Sequence, residues 1–502
     1  MAHRGDREFR EEWIAGERYC IGANRLAIQD PTLGRQPFVS PEGKWACVQN
    51  GEVYNQAELR EDWSNRFSFN TYRDTEVILA ACAITGFNAP KYLRGMFAFA
   101  AIDIEQDEWL LARDPLGIKP LYVGILNSSV VFASELKALV AINASDIVSL
   151  PPGHGRTKAG LFCFREKLQF KPSELTDNRL LSELRNQLEV TVKYHLPSSN
   201  EEVAVLLSGG VDSTTILYLA KRLHGGEIVA FTASHSEIHS EDLRAARIAC
   251  NKFGVDLRIV ALDPSELVEF YLLSGVRMTE TFEVPLVRNA TLYYLLCRSV
   301  RAAGFKYCLS GEGADELFGG YDYFKLENPE KRDQLILDSL RDIHKTYLKM
   351  ADRASMWASL EVRVPYMDDH FVSVALTLPP HFRIGDGIDK VALRTLYEGD
   401  IPAENRRRSK IGMNGGAGFG GNDPFEGIYY EGVKRFYELN PDQYRRDRLT
   451  AVRFSSQYNL NQGDIEEVYN FARYVDAGYL ADPEGLPRLR LNTSQGEDNI
   501  EY

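Results

Sequence analysis

Apolar residues recur along this chain in two different rhythms. Up to about residue 145 they come in short alternating segments: Tyr19–Ile28, Trp45–Val48, Met96–Ile104, Trp109–Ala112, Leu121–Ile125 and Val130–Ala133. Alternation at a period of two turns one face of each segment toward a core, and turn residues separate the segments. The pattern therefore predicts antiparallel sheets. One run in this half, Asp74 to Thr85, is helical instead. The stretch Leu150-Pro151-Pro152-Gly153-His154-Gly155 breaks the alternation, and near Ser182 the spacing becomes helical. Strand-like runs then alternate with helical ones, with strands expected at Val203–Leu207, Glu227–Thr232, Asp256–Ala261 and Lys306–Leu309. That order predicts an α/β parallel sheet. Beyond a glycine-rich stretch, Gly415 to Gly421, the chain is polar and helical to about Tyr479, and the tail from Pro483 to Tyr502 has the composition of a disordered segment. The expected organisation is an α+β sandwich over 1–150, a linker over 151–180, an α/β domain over 181–425 and a helical extension over 426–502, with no internal repeat.

Two strand-to-helix turns carry chemistry. Val203 to Leu207 runs into Ser208-Gly209-Gly210-Val211-Asp212-Ser213 and then a helical run, Thr214 to Leu223. Small residues let the backbone close around phosphate oxygens, and a helix start aims free N–H groups at them. Asp212 would repel a phosphate unless a divalent cation lay between them, so the turn points to Mg²⁺. It is neither a Walker A loop nor a Gly-x-Gly-x-x-Gly turn. Lys306 to Leu309 leads into a second such turn, Ser310-Gly311-Glu312-Gly313-Ala314-Asp315-Glu316. Two glycine turns at strand ends suit one polyphosphate bound at the carboxyl edge of an open sheet. Asp212 and Asp315 would then share one Mg²⁺. His235 and His239 lie four apart, but no cysteine or third histidine is near enough in sequence to close a zinc site.

Composition narrows the class. A chain of 502 residues holds two or three domains, and 44% hydrophobic with 26% charged residues is ordinary for a globular protein. No apolar run reaches membrane-spanning length, and the first residues lack the apolar core of a signal peptide, so no membrane is expected as partner. Seven scattered cysteines without a Cys-x-x-Cys pair suit reduced thiols in a cytoplasmic protein. A net charge of −13 disfavours nucleic acid. The basic run Arg406-Arg407-Arg408-Ser409-Lys410 is the exception, and beside a polyphosphate it would neutralise charge.

The two turns together resemble the synthetase domain of asparagine synthetase B-type enzymes, relatives of the β-lactam synthetases. Further matches follow in the family's order: Asp352-Arg353-Ala354-Ser355-Met356, Glu361-Val362-Arg363-Val364-Pro365, Lys390-Val391-Ala392-Leu393-Arg394 and Arg408-Ser409-Lys410. The resemblance implies an ATP-pyrophosphatase domain using ATP and Mg²⁺. Ser208, Gly209, Gly210 and Ser213 would hold the pyrophosphate, Asp212 and Asp315 the metal, and Leu206, Ala233, Ser310 and Gly311 the nucleotide. Glu312 would orient an amine and take its proton, and Lys410 would stabilise the departing pyrophosphate. The implied reaction is amide formation: a carboxylate, aspartate's β-carboxylate foremost, is activated as an acyl-AMP and captured by nitrogen from ammonia or glutamine.

Residues 1–150 resemble the family's Ntn-type glutamine amidotransferase domain, through His3-Arg4-Gly5-Asp6, Arg25, Asn50-Gly51-Glu52, Asp74 and Arg113-Asp114-Pro115. By that resemblance Arg25 pairs with the glutamine α-carboxylate, Glu52 and Asp74 hold its ammonium, and Asn50 and Gly51 supply an oxyanion hole. The family's nucleophile is an N-terminal cysteine, which with its first strand precedes the His-Arg-Gly segment. Here only Met1 and Ala2 precede it, and Cys20 and Cys47 have no free α-amine to act as base. The domain is expected to be truncated at its start, and the chain as given to lack glutaminase activity. Two accounts stay open, a start further upstream or true loss of the activity, with the retained glutamine-recognition residues favouring the first. The family also implies a homodimer through this domain, although no residue establishes it.

Beside asparagine formation two other readings stand. The segment Ile411 to Gly418 departs from the asparagine synthetase pattern and reads like the lid of β-lactam-forming relatives, which suggests a specialised amide, β-lactam or cyclising synthetase. A non-catalytic derivative of the fold is the third, and the intact set Asp212, Glu312, Asp315 and Lys410 weighs against it.

Overall fold

The computed structural model describes residues 1–6, 10–15, 18–28, 36–40, 42–235, 240–419 and 427–481. The expectations for His239 and for the tail from Pro483 lie outside the described residues. The strands of the N-terminal half are β1 (Arg10–Ala15), β2 (Tyr19–Asn24), β3 (Phe38–Val39), β4 (Trp45–Val53), β5 (Gly95–Asp103), β6 (Glu108–Arg113), β7 (Tyr122–Leu126), β8 (Ser129–Ala133), β9 (Ser145–Ser149), β10 (His154–Thr157) and β11 (Gly160–Cys163). They form a six-stranded sheet in the order β11-β10-β6-β5-β4-β3, a three-stranded sheet β8-β7-β9 and the hairpin β1-β2, with every pairing antiparallel.

Strand β5 explains the layering. Phe97, Phe99 and Ala101 point to one face and pack with Val77, Ile78 and Ala81 of the helix Asp74–Thr85. Ala98, Ala100 and Ile102 point to the other and pack with Val123 of the three-stranded sheet and with Leu121 just before it. A strand buried on both faces by different partners gives a sandwich with a helix layer outside it. The expected linker is corrected here. Residues 154–163 form β10 and β11, and Gly155 and Arg156 pair with Ala112 and Leu111 of β6, so the N-terminal sheet runs on to Cys163. The turn at Pro151-Pro152-Gly153 reverses the chain into the sheet, with Gly153 at a φ of +67° donating to the Asp114 carbonyl.

The second half is built on β12 (Val203–Leu206), β13 (Ile228–Ser234), β14 (Asp256–Ala261), β15 (Tyr307–Leu309) and β16 (Glu361–Arg363), all parallel, in the order β14-β13-β12-β15-β16. The chain steps outward from β12 to β14, then returns to the opposite side of β12 for β15 and β16. The crevice where the order reverses therefore lies between the carboxyl ends of β12 and β15. Helices cover both halves, and the outer face of the three-stranded sheet, through Tyr122, Ala133 and Ile147, joins the same continuous core as the parallel sheet, together with Leu136 of the helix Leu136–Ala141.

Buried ion pairs pin the two halves together. Arg4 grips Asp352 in a two-pronged pair at 2.8 Å and also donates to Glu135 at 2.9 Å. Arg94 does the same to Asp368 at 2.9 Å. The extension packs on the second half as the helices Ile428–Leu439, Pro441–Tyr458 and Ile465–Asp476. Among the described residues no helix is long and apolar enough to cross a membrane, and all seven cysteines are unpaired.

Candidate active site

The first glycine turn follows β12 and opens the helix Val211–Leu223, with Gly210 as its N-cap. Gly209 has a φ of +75°, and a Cβ there would lie 2.5 Å from Ala245, so only glycine lets the turn pass this close to the helix Glu241–Phe253. The Ser208 and Ser213 hydroxyls lie 3.1 Å apart and close the turn on itself. The second turn, after β15, meets the first. A Cβ on Gly311 would sit 3.0 Å from the Ser213 nitrogen and 3.2 Å from the Asp212 Cβ. The turns the sequence marked as one site are thus in van der Waals contact at the switch point of the sheet. Leu206 ends β12, Ser310 and Gly311 follow β15, and Ala233 lies at the carboxyl edge of β13, two residues past the Leu206–Phe231 register pair.

Charge concentrates where the turns meet. Lys390 donates to Asp212 and lies 2.6 Å from Asp315, while Lys410 donates to the other Asp315 oxygen at 2.5 Å. Burial by itself would raise the Asp315 pKa, but the two ammonium groups overcome it and hold the carboxyl well below its usual range. Asp212 is pushed up by burial, with Lys390 opposing. Its Oδ1 is buried without a hydrogen-bond partner among the described residues. Two carboxylates converging on one cationic point, one with an orphaned oxygen, are a donor set that fits a hard cation such as Mg²⁺. No group of three or more His, Cys, Asp or Glu suited to a metal occurs among the described residues, so phosphate and water would complete such a shell.

Glu312 is half-buried beside this cluster. Burial raises its pKa to about 7, with Asp315 and Asp212 adding and Lys410 opposing. Glu316 is also pushed up to about 7 by burial, and it accepts a 2.6 Å hydrogen bond from Tyr321. Gly320 admits the pairing of Asp315 with Lys390, because a Cβ there would strike both side chains, at 2.0 and 2.2 Å.

Several contributors were not among the site residues expected from sequence. Lys390 lay in a matched motif, yet only its left-handed backbone (φ +52°) and buried position bring it between the two aspartates. Arg408, one of a basic run, donates to the Ser208 carbonyl and to Asp242, each at 2.6 Å. Asn405 donates at 2.8 Å to the carbonyls of Gly209 and Ala245.

The five N-terminal candidates also come together. Arg25, Asn50, Gly51, Glu52 and Asp74 line a single cavity, with Arg4 and Glu361 at its wall. Gly51 has a φ of +118°, and a Cβ there would lie 1.9 Å from the Met96 carbonyl oxygen. Asp74 accepts from Gln49 at 2.6 Å and from the Val53 N–H at 3.0 Å. Glu52 meets Arg363, at the end of β16, at 3.3 Å. Burial pushes the Glu52 carboxyl well up, with Arg363 opposing. By contrast, Asp114 of the Arg113-Asp114-Pro115 motif is a structural knot. Its carboxylate accepts from the N–H groups of Phe97, Leu116, Ile118 and Lys119.

Comparison with known proteins bears on both regions. Residues 1–149 match the family model for a glutamine amidotransferase domain, and residues 183–335 and 325–425 match that for asparagine synthase. The chain is 32% identical over 480 residues to asparagine synthetase B [glutamine-hydrolyzing] of Escherichia coli, covering 91% of this chain and 83% of that protein. It is 35% identical over 415 residues to a probable asparagine synthetase [glutamine-hydrolyzing] of Schizosaccharomyces pombe, covering 74% and 71%.

Proposed function

The chain belongs to the asparagine synthetase family of ATP-dependent ligases, and on that premise we propose that it converts aspartate to asparagine through an acyl-adenylate, releasing AMP and pyrophosphate. The observation that carries this reading is the contact of the two glycine turns at Gly311, with Asp212, Asp315, Lys390 and Lys410 gathered around it.

In this reading the turn Ser208–Ser213 and the start of its helix receive the β- and γ-phosphates, and Leu206, Ala233, Ser310 and Gly311 receive the nucleoside. Asp212 and Asp315 would hold Mg²⁺, which would screen the phosphates and draw charge from the leaving group. A β-carboxylate oxygen of aspartate attacks the α-phosphorus, the bond to the bridging oxygen breaks, and pyrophosphate departs with its charge met by Lys410 and Lys390. Nitrogen then attacks the acyl carbon and the bond to AMP breaks. The nitrogen must shed a proton, and Glu312, with a pKa of about 7, is poised to take it near neutral pH. The cavity lined by Arg25, Asn50, Gly51, Glu52 and Asp74 is read as the glutamine pocket.

The test is release of AMP and pyrophosphate with ATP, Mg²⁺ and aspartate, comparing ammonium with glutamine. Turnover with ammonium supports the synthetase reading whatever glutamine does. Failure with aspartate but turnover with another carboxylate favours the specialised amide synthetase suggested by the segment after Lys410.

A further inference from the structure

Lys410 sits on a segment with little regular structure of its own, between the helix Ala403–Arg407 and the short helix Met413–Ala417. Its ammonium reaches Asp315, but what holds the segment in place lies on either side of it. On the leading side Arg408 ties it to Ser208 and Asp242. On the trailing side the Ser240 hydroxyl, which caps the helix Glu241–Phe253 by accepting from the Leu243 N–H, donates to the Gly416 carbonyl at 3.1 Å. The His235 N–H donates to Ala417 at 2.9 Å.

The remaining anchor comes from the C-terminal extension. Buried Asn414 donates to Asn289 at 2.8 Å and accepts from the Tyr429 hydroxyl at 3.3 Å. Tyr429 is buried and its ring lies 4.9 Å from that of Tyr271. Tyr271 donates to Glu466 at 2.8 Å, and the same carboxylate receives Arg288. Tyr469 donates to the Leu272 carbonyl at 2.7 Å. The extension is therefore docked by polar bonds on the segment Tyr271–Gly275 and on Arg288 of the helix Val284–Ala302. That helix also carries Asn289 to the lysine segment, and Tyr293 to Ser310 at 3.3 Å.

We propose that the extension is a working part of the synthetase site, in which Tyr429 is a positioning residue that holds the Lys410 segment through Asn414. The proposal rests on the reading of Lys410 as the group that meets the departing pyrophosphate. Its physical content is that a lysine carried on irregular chain is only as well placed as the anchors flanking it, and one of these belongs to the extension.

The experiment is Tyr429→Phe, which deletes the hydroxyl and keeps the ring against Tyr271, with Asn289→Ala removing the partner on the other side of Asn414. Amide hydrogen exchange across 411–419 should quicken about fivefold in each variant, the loss of one hydrogen bond, while the helix Ile428–Leu439 keeps its protection. Pyrophosphate release should fall by a similar factor in kcat with the KM for ATP unchanged. In a Lys410→Ala background Tyr429→Phe should have no further effect, because it acts through that lysine. Unchanged exchange over 411–419 overturns the anchoring. Faster exchange with an unchanged kcat, or an effect of equal size without Lys410, overturns the positioning role. A wild-type chain that releases no pyrophosphate refutes the amide-forming reading instead, and exchange over 411–419 then decides the anchoring alone.

Discussion

Replacing Glu312 with glutamine should slow amide formation and at the same time stabilise the protein at neutral and alkaline pH. Burial raises this carboxyl from its ordinary 4.5 to about 7, with Asp315 and Asp212 adding to the burden. At ~1.4 kcal/mol for each pH unit, the ceiling on the cost of ionising it in the folded state is ~3 kcal/mol. The side chain keeps some contact with water, so ~1–2 kcal/mol is the expected gain on removing the charge. The sign follows from linkage. Below pH 4.5 the carboxyl is protonated both folded and unfolded, and the substitution gains nothing through this term. Between 4.5 and 7 the unfolded chain ionises first and wild-type stability falls as pH rises. Above about 7 the penalty is complete and no longer changes. Urea denaturation of both proteins at pH 5, 6, 7 and 8 should show a gap that opens across this window and then levels. Kinetically, loss of the proton acceptor should lower amide formation ~10²–10⁴-fold, while exchange of labelled pyrophosphate into ATP, which precedes the nitrogen step, survives. A gap in stability that is absent or independent of pH would refute the electrostatic account. Loss of pyrophosphate exchange along with amide formation would refute the placing of Glu312 after adenylation.

Three further outcomes are expected. EDTA should abolish pyrophosphate release and added Mg²⁺ restore it, and Asp315→Asn should raise the Mg²⁺ concentration for half-maximal rate; a rate indifferent to EDTA removes the metal from the reading. Gly311→Ala should wedge the two turns apart, since the added Cβ would lie 3.0 Å from the Ser213 nitrogen, and raise the KM for ATP by roughly the 5- to 150-fold that ~1–3 kcal/mol of overpacking implies, so initial rates showing an unchanged KM would mean the turns do not jointly hold the nucleotide. Arg4→Ala should leave the Asp352 and Glu135 carboxylates buried without this partner, costing ~3–5 kcal/mol, and a thermal melt within a degree of wild type would show that this interdomain pair holds little.

The local features were legible because each depends on neighbours in sequence. Alternation over Gly95–Asp103 and the helical run Asp74–Thr85 declared their elements, since a strand repeats every two residues and a helix every 3.6. The glycine turns at Ser208–Ser213 and Ser310–Gly313 declared sharp turns at strand ends, because backbone crowding and free N–H groups are properties of a few consecutive residues. What lay beyond reach was decided by contacts between distant segments. Strand order β14-β13-β12-β15-β16 places β15 on the edge of β12 that β13 leaves open, and that choice brings Gly311 onto Asp212. Lys390 becomes part of the cluster only because its chain returns, 178 residues after Asp212, in a left-handed turn between the two aspartates. Strands β10 and β11 were hidden behind Pro151-Pro152-Gly153, whose turn chemistry marks a reversal but not which sheet the reversal leads to. Glu52 was chosen from its motif, and its neighbour Arg363 arrives from the other half of the chain. Sequence determined the pieces because their physics is short-ranged; tertiary structure decided the partners because burial and charge pairing act across space, between residues no local pattern connects.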